Sequence, residues 1–267
     1  MNYENILPDL IQLAKQAGKA IMEVYQQKTP VDVKIKADKT PVTQADLIAH
    51  QVIKNKLQQL TPEIPILSEE AANIDFSERK KWHTYWLIDP LDGTKEFIQR
   101  TDEFTVNIAL IAQHHSVLGV VYAPVLDWCY YASRSTKAYK IEAQQPPHEI
   151  KVRQAGDKLT VALSRRHGHK EFAPYLEKIR GHEIIKKGSS LKSCLIAEGK
   201  ADIYASMGPT SEWDTGASQC IVEVAGGRVC DLEFNPLCYN TKASLINPPF
   251  IVVGDASYNW KQFFNKL

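Results

Sequence analysis

Asp89 and Asp92 stand three residues apart in Asp-Pro-Leu-Asp-Gly-Thr, directly behind the apolar run that begins at Tyr85. Pro90 fixes its φ, so that both carboxylates can be held on one side of a turn, and Gly93 lets the backbone approach a ligand closely. If a helix starts near Thr94, the N–H groups of Gly93 and Thr94 point outward as an anion site. Carboxylates beside anion-binding amides repel a phosphate unless a cation lies between them. The juxtaposition therefore implies a divalent metal, and an all-oxygen donor set favours Mg²⁺ over zinc or copper. Taken alone, the pattern equally describes a solvated turn, because Asp-Gly is a common turn dipeptide.

Two further acidic positions tip the balance. Ser68-Glu69-Glu70 also follows a short apolar run, and Trp213-Asp214 falls in the opening turn of a helix, where a carboxylate is accessible and favoured. The plain alternatives are a surface charge pair and a helix cap, but three such sites together favour a metal-dependent centre. Glu70 is expected to point away from Glu69, as adjacent side chains do in an extended segment. Asp46 lies three residues after Thr43, and on that spacing alone it is a capping-box residue.

The elements that must position these groups can be read from the periodicity. Leu7, Leu10, Ile11, Ala14, Ala17, Ile21 and Val24 lie at helical spacing, with Asp and Glu among them, so the first segment is an amphipathic helix and not a signal peptide. Residues 31 to 36 alternate as a half-exposed strand would, and a second helix begins near Thr43. From residue 84 the segments 85–89, 104–112, 117–124, 128–133 and 138–142 predict an antiparallel meander. The paired prolines of 144–149, Gln-Gln-Pro-Pro-His-Glu, interrupt helix and strand alike and mark the boundary between two halves, about 1–145 and 146–267. Beyond it strands and helices alternate, and a last strong helix closes on Gly226-Gly227. Ligands from both sides of the boundary can converge only if the halves pack as one cooperative unit.

Composition excludes several functions. The 267 residues are 44% apolar and 24% charged, which is ordinary globular usage. A net charge of +1 argues against a dedicated nucleic-acid binder, and aromatic residues do not interleave with the basic segment as a stacking platform requires. Five cysteines without a C-x-x-C pair suggest neither a zinc knuckle nor a disulfide framework, so a reducing, cytoplasmic compartment is expected. No apolar run reaches membrane-spanning length, which leaves peripheral attachment to the inner face of the cell membrane as the other location. The balanced charge hides two fields: residues 61–103 carry ten acids and five bases, whereas 151–192 carry eleven bases and four acids.

Residues 86–97, WLIDPLDGTKEF, and 213–227, WDTGASQCIVEVAGG, resemble the two signatures of the inositol monophosphatase superfamily of metal-dependent, lithium-sensitive phosphatases, in order and with Ser-Glu-Glu upstream. Within it, PVTQADLIAH, EFTVNIALI, LGVVYAPV and GSSLKSCLIAEGKADIY are similar to the CysQ-type 3′(2′),5′-bisphosphate nucleotidases, over essentially the whole chain. The resemblance implies an α+β fold, a layered α-β sandwich of the inositol monophosphatase and fructose-1,6-bisphosphatase type. It implies two or three Mg²⁺ ions held by Glu69, Asp89, Asp92, Asp214 and the Leu91 carbonyl, with one metal activating a water and another stabilising the leaving oxygen. Thr94, paired with Asp46, would orient or deprotonate that water, and the Gly93 and Thr94 amides would hold phosphate oxygens.

The substrate needs separate reasoning, since the superfamily also acts on inositol and sugar phosphates. A second, uncleaved phosphate needs donors such as those concentrated in 151–192. Ser164, Arg165 and His167 follow an apolar strand, and Gly188, Ser189, Ser190 and Lys192 open a helix; Glu69, Leu91, Asp92, Gly93, Thr94 and Asp214 would meet the scissile group. Nucleotidases of this type carry Ser-Arg-Ser-His where this chain has Arg166 in place of the second Ser. The expected reaction is hydrolysis of adenosine 3′,5′-bisphosphate (PAP) to AMP and phosphate, with PAPS to APS as a second conversion, in sulfur assimilation. An inositol monophosphatase is the alternative enzyme. A silent nucleotide-binding regulator is disfavoured because Glu69, Asp89, Asp92, Thr94 and Asp214 are all present. The expected partners are a small nucleotide bisphosphate and, at most, a second copy in a homodimer; no nucleic acid is expected.

Overall fold

The near-continuous apolar runs of residues 85–88, 106–111 and 117–121 would be unusual for an antiparallel sheet with one face in water; both faces of this one are covered. In a computed structural model of the chain, residues 3–27, 33–35, 41–165, 169–179 and 181–264 are described. A short ladder pairs β1 (Val33–Ile35) with β2 (Pro41–Thr43), and the rest of the 31–36 stretch lies outside the described residues. A seven-stranded sheet then takes its strands in chain order: β3 (Ile66–Ser68), β4 (Thr84–Asp92), β5 (Thr105–Ala112), β6 (His115–Ala123), β7 (Trp128–Ser133), β8 (Tyr139–Glu142) and β9 (His148–Glu149). It is antiparallel except that β3 runs parallel to β4. A five-stranded mixed sheet comprises β10 (Thr160–Ser164), β11 (Glu183–Lys187), β12 (Ile203–Ser206), β13 (Arg228–Asp231) and β14 (Phe250–Val253), in the spatial order β11-β10-β12-β14-β13.

The helices are α1 (Leu7–Tyr25), α2 (Gln44–Leu60), α3 (Phe76–Arg79), α4 (Thr94–Ile98), α5 (His169–Lys178), α6 (Leu191–Ala197), α7 (Glu212–Val224) and α8 (Lys261–Phe264). Strand alternation sorts the core between them. Trp86, Ile88, Ile108 and Val120 face α1 and α2, packing on Leu10, Ala14, Ile53 and Leu57. Their sequence neighbours Leu87, Ala109 and Val121 face the other way, onto α6 and α7, and the far side of those helices meets Ala162, Tyr204, Phe250 and Val252 of the second sheet. Val161, Leu163, Ile203 and Ile251 then pack on Phe172 of α5 and Phe264 of α8. The result is a layered α+β sandwich with α6 and α7 between the sheets. None of the described helices is long and apolar enough to cross a membrane.

Pro146 and Pro147 fall in the turn between β8 and β9, which pair antiparallel, so the chain leaves the first sheet after residue 149 and not at the prolines. The pair of prolines suits a turn because neither residue has an N–H to place in the ladder.

Helix α7, from the second half of the chain, lies directly on β6: Ser116 Oγ donates to the Gly216 carbonyl at 2.6 Å, and a Cβ on Gly119 would overlap the Ala217 carbonyl oxygen. Gly119→Ala should therefore cost about 2 kcal/mol or more and lower the thermal midpoint by roughly 4–8 °C. Gly156→Ala, where an added Cβ meets nothing within 4 Å, should stay within about 0.5 kcal/mol of the parent. Thermal unfolding of the two variants checks this.

Candidate active site

Asp89 and Asp92 belong to one strand and not to a turn behind it. On a regular strand residues three apart face opposite sides of the sheet. Here Asp89 pairs with Asn107 and Asp92 with Thr105, so β4 spends three steps where β5 spends two. The extra residue is a β-bulge at Pro90 and Leu91, where proline has no ladder donor to lose. It turns both carboxylates to one side, and the Leu91 N–H donates to Asp89 Oδ1 at 3.0 Å. Gly93, at φ 96°, then ends the strand and begins α4, with Thr94 in its first turn.

Asp214 arrives from α7, and one carboxylate oxygen each of Asp89, Asp92 and Asp214 lies within 4.8 Å of the others. The start of α7 holds Asp214 in place, since the Ser211 N–H donates to its Oδ2 at 2.8 Å. Ser190 fixes Asp92: its N–H and Oγ each donate to Asp92 Oδ2 at 2.7 Å. Burial, then the negative charges of Glu69, Asp92 and Asp214, push the Asp89 carboxyl well above the usual carboxylate range. Asp214 is raised chiefly by burial and by Asp92. Glu69 stands close enough to hydrogen-bond Asp89. It sits in a 3₁₀ turn, Glu69–Ala71, so the extended geometry assumed for Glu70 does not apply. Oxygen donors that repel one another at such close range fit a hard divalent cation.

Asp46 has two roles at once. Its Oδ2 accepts the Thr43 N–H at 2.8 Å and Thr43 Oγ1 at 2.6 Å, closing the capping box that starts α2. Its Oδ1 accepts Thr94 Oγ1 at 3.1 Å, joining α2 to the end of β4. Burial lifts its carboxyl above the ordinary range, against the hydrogen bonds from Thr43 and Thr94.

A cavity of about 510 Å³ opens beside these groups and is lined by Asp92, Gly93 and Asp214, by Ser189 and Lys192, and by Tyr204 and Phe250. Ser164, Gly188 and Ser190 line it too, while Arg165 does not. Arg165 instead makes a bidentate pair with Glu103. His167 and Arg166 lie outside the described residues. Sequence reasoning passed over Glu103, Asn107, Tyr204 and Phe250. Glu103 had left one trace, as the last acid of the acidic stretch; the other three read as ordinary strand residues.

The inositol monophosphatase family model matches residues 2–261. The chain is 48% identical over 247 residues to the 3′(2′),5′-bisphosphate nucleotidase CysQ of Escherichia coli K12, covering 92% of this chain and 99% of that one. It is 41% identical to the Haemophilus influenzae CysQ nucleotidase, covering 98% and 97%. Among solved structures it resembles CysQ of Bacteroides thetaiotaomicron, with a TM-score of 0.80, 38% identity and coverage of 92% and 96%.

Asp89 and Asp214 carry raised carboxyls, so in chelator the native state binds protons that the unfolded chain has released. Stability of the metal-free protein should therefore fall as pH rises from about 4 toward neutrality. Saturating Mg²⁺ should restore about 2–3 kcal/mol at 100 times its dissociation constant. Asp89→Asn should raise the thermal midpoint in chelator at neutral pH, remove most of the Mg²⁺-induced gain and abolish turnover. Calorimetry with and without Mg²⁺ measures the first two effects.

Proposed function

The chain belongs to the inositol monophosphatase family, and within it we propose that the enzyme hydrolyses the 3′-phosphate of adenosine 3′,5′-bisphosphate to give AMP and phosphate. The observation that carries this reading is the make-up of the cavity wall. It combines carboxylates, Asp92 and Asp214, with Ser189, the cationic Lys192 and the two rings of Tyr204 and Phe250. A volume of about 510 Å³ lies within the range of small-molecule sites and has room for a nucleotide. PAPS, with a second anionic group at the same end, would fit the same frame and yield APS. The cellular role would be removal of a by-product of sulfate activation and transfer.

Glu69, Asp89, Asp92, Asp214 and the Leu91 carbonyl would hold Mg²⁺, two or three ions in all. When bound, Mg²⁺ lowers the pKa of water and neutralises charge on the phosphate. The chain's own groups do the rest. Because Asp46 Oδ1 takes the Thr94 hydroxyl hydrogen, the lone pairs of Thr94 Oγ1 are left to accept a proton from the attacking water. Asp46, lifted by burial, can accept the proton that Thr94 passes on. The Gly93 and Thr94 amides would hold the scissile phosphate, and positioning within this frame supplies much of the acceleration. Ser164, Gly188, Ser189, Ser190 and Lys192 would receive the second phosphate and the ribose.

Initial rates with Mg²⁺ should favour adenosine 3′,5′-bisphosphate over inositol 1-phosphate by about a hundredfold or more in kcat/KM, as two lost charged hydrogen bonds imply. A preference for the inositol ester would sink the assignment. Thr94→Ala should lower kcat by about 10²–10⁴ with little change in KM, and a wild-type kcat in that variant would remove Thr94 from the proton path.

A further inference from the structure

Glu103 lies between α4 and β5 and takes no part in the chemistry above, yet it is buried and richly bonded. Its Oε2 accepts Arg165 Nε at 2.7 Å and the Gly188 N–H at 2.8 Å. Its Oε1 accepts the outer Arg165 nitrogen at 2.9 Å and Lys187 Nζ at 3.1 Å. All of these donors come from the second half of the chain, at the ends of β10 and β11. Burial alone would raise the Glu103 carboxyl, but the bonds from Arg165, Lys187 and Gly188 hold it down to about 2, so it is charged at every physiological pH. Its backbone is as close: the Glu103 carbonyl oxygen lies 2.9 Å from where a Cβ of Gly188 would sit, which leaves room only for glycine there.

Gly188 begins the turn that leads into α6. The other end of that turn is pinned separately, by the Ser190 bonds to Asp92 and by Asn107 Nδ2 donating to Ser190 Oγ at 2.8 Å; the Asp214 carbonyl, 2.9 Å from Ser190 Oγ, is a second acceptor within reach of the same hydroxyl hydrogen. Between the anchors Ser189 adopts φ 47°, and its buried Oγ has no partner among the described residues. Lys192 Nζ donates to the Ser189 carbonyl at 2.6 Å, and both residues line the cavity. An orphaned hydroxyl beside an ammonium, on strained backbone, is a segment held ready for a ligand.

We propose that Glu103 is a positioning residue for the second phosphate: by tethering Gly188 it holds Ser189 and Lys192 at the cavity wall. Arg165 and Lys187 serve as its counter-ions and do not meet the substrate themselves. The inference rests on the bisphosphate reading given above, and it reassigns two of the bases in the positive stretch from substrate to scaffold. The metal end of the turn has its own anchors, so loosening the Gly188 end should act on binding more than on the chemical step.

Glu103→Gln keeps the shape but turns one acceptor into a donor facing a donor. KM for adenosine 3′,5′-bisphosphate should rise about tenfold or more, the worth of one charged hydrogen bond, with kcat within about threefold. On p-nitrophenyl phosphate, which has no second phosphate, the loss in kcat/KM should be about tenfold smaller. Arg165→Gln should give a similar KM rise, and the double variant should be no worse than the poorer single, because the two act through one contact. An additive loss in the double variant would make Arg165 a substrate contact and overturn the proposal. So would equal losses on both substrates, or an unchanged KM. Should Glu103→Gln not fold, Lys187→Met carries the test: a several-fold KM rise confined to the bisphosphate is expected, and its absence overturns the proposal. Wild-type enzyme that handles both substrates equally well would instead refute the nucleotidase reading, before any variant is made.

Discussion

Mutual repulsion between carboxylates crowded around the buried Asp89 is the constraint to which the rest of this fold answers. Asp89, Asp92 and Asp214 present oxygens within 4.8 Å of one another, with Glu69 beside Asp89. Left to itself such a cluster would protonate or spread, and a buried unpaired charge is costly. The three aspartates are held together by fixed donors: the Leu91 N–H for Asp89 and the Ser211 N–H for Asp214, each from the aspartate's own turn, and the distant Ser190 for Asp92. The layers of apolar side chains behind those elements supply the stability that offsets the repulsion.

Helix starts are used twice over. At the N-terminus of α2, one oxygen of Asp46 completes a capping box while the other takes the Thr94 hydroxyl. At the N-terminus of α7, Asp214 accepts the Ser211 N–H with one oxygen. A carboxylate has two oxygens and about four acceptor sites, so one residue can end a helix and still serve a ligand. A cap and a place in the candidate site are therefore compatible readings of the same side chain. The same economy appears at Glu103, which joins the loop before β5 to the ends of β10 and β11 and seats the glycine that begins the turn before α6.

Much of this was legible in the residue pattern. The helical spacing of Leu7 to Val24, the capping box at Thr43, the apolar runs of β4 to β6 and the glycine-terminated α7 all emerge as read, because each is set by neighbours in the chain. The candidate metal residues stood out for the same reason, as acids at the ends of apolar runs. Two features took a meaning that the pattern did not carry. The prolines at 146 and 147 look like a break between halves, yet they turn a short hairpin, because residues 148 and 149 still pair with β8 and a strand of two residues has no alternation to announce it. The positive stretch of 151–192 looks like a field for a phosphate. In the fold Arg153 instead pairs with Asp202, Lys158 with Glu183, and Arg165 and Lys187 with Glu103.

By itself the sequence determined the residue chemistry of the candidate site: oxygen donors that suit a hard cation, a glycine beside them, and the elements that carry them. Charge and donor type belong to single residues and survive any arrangement of the chain. Which acids come close enough to share an ion, and on which side of the sheet, was decided only by tertiary structure. A bulge of one residue in β4 sets the facing of Asp92, and the packing of α7 on β6 brings Asp214 from the other half of the chain. Pairing register and layer order are properties of distant segments in contact, and no local pattern contains them.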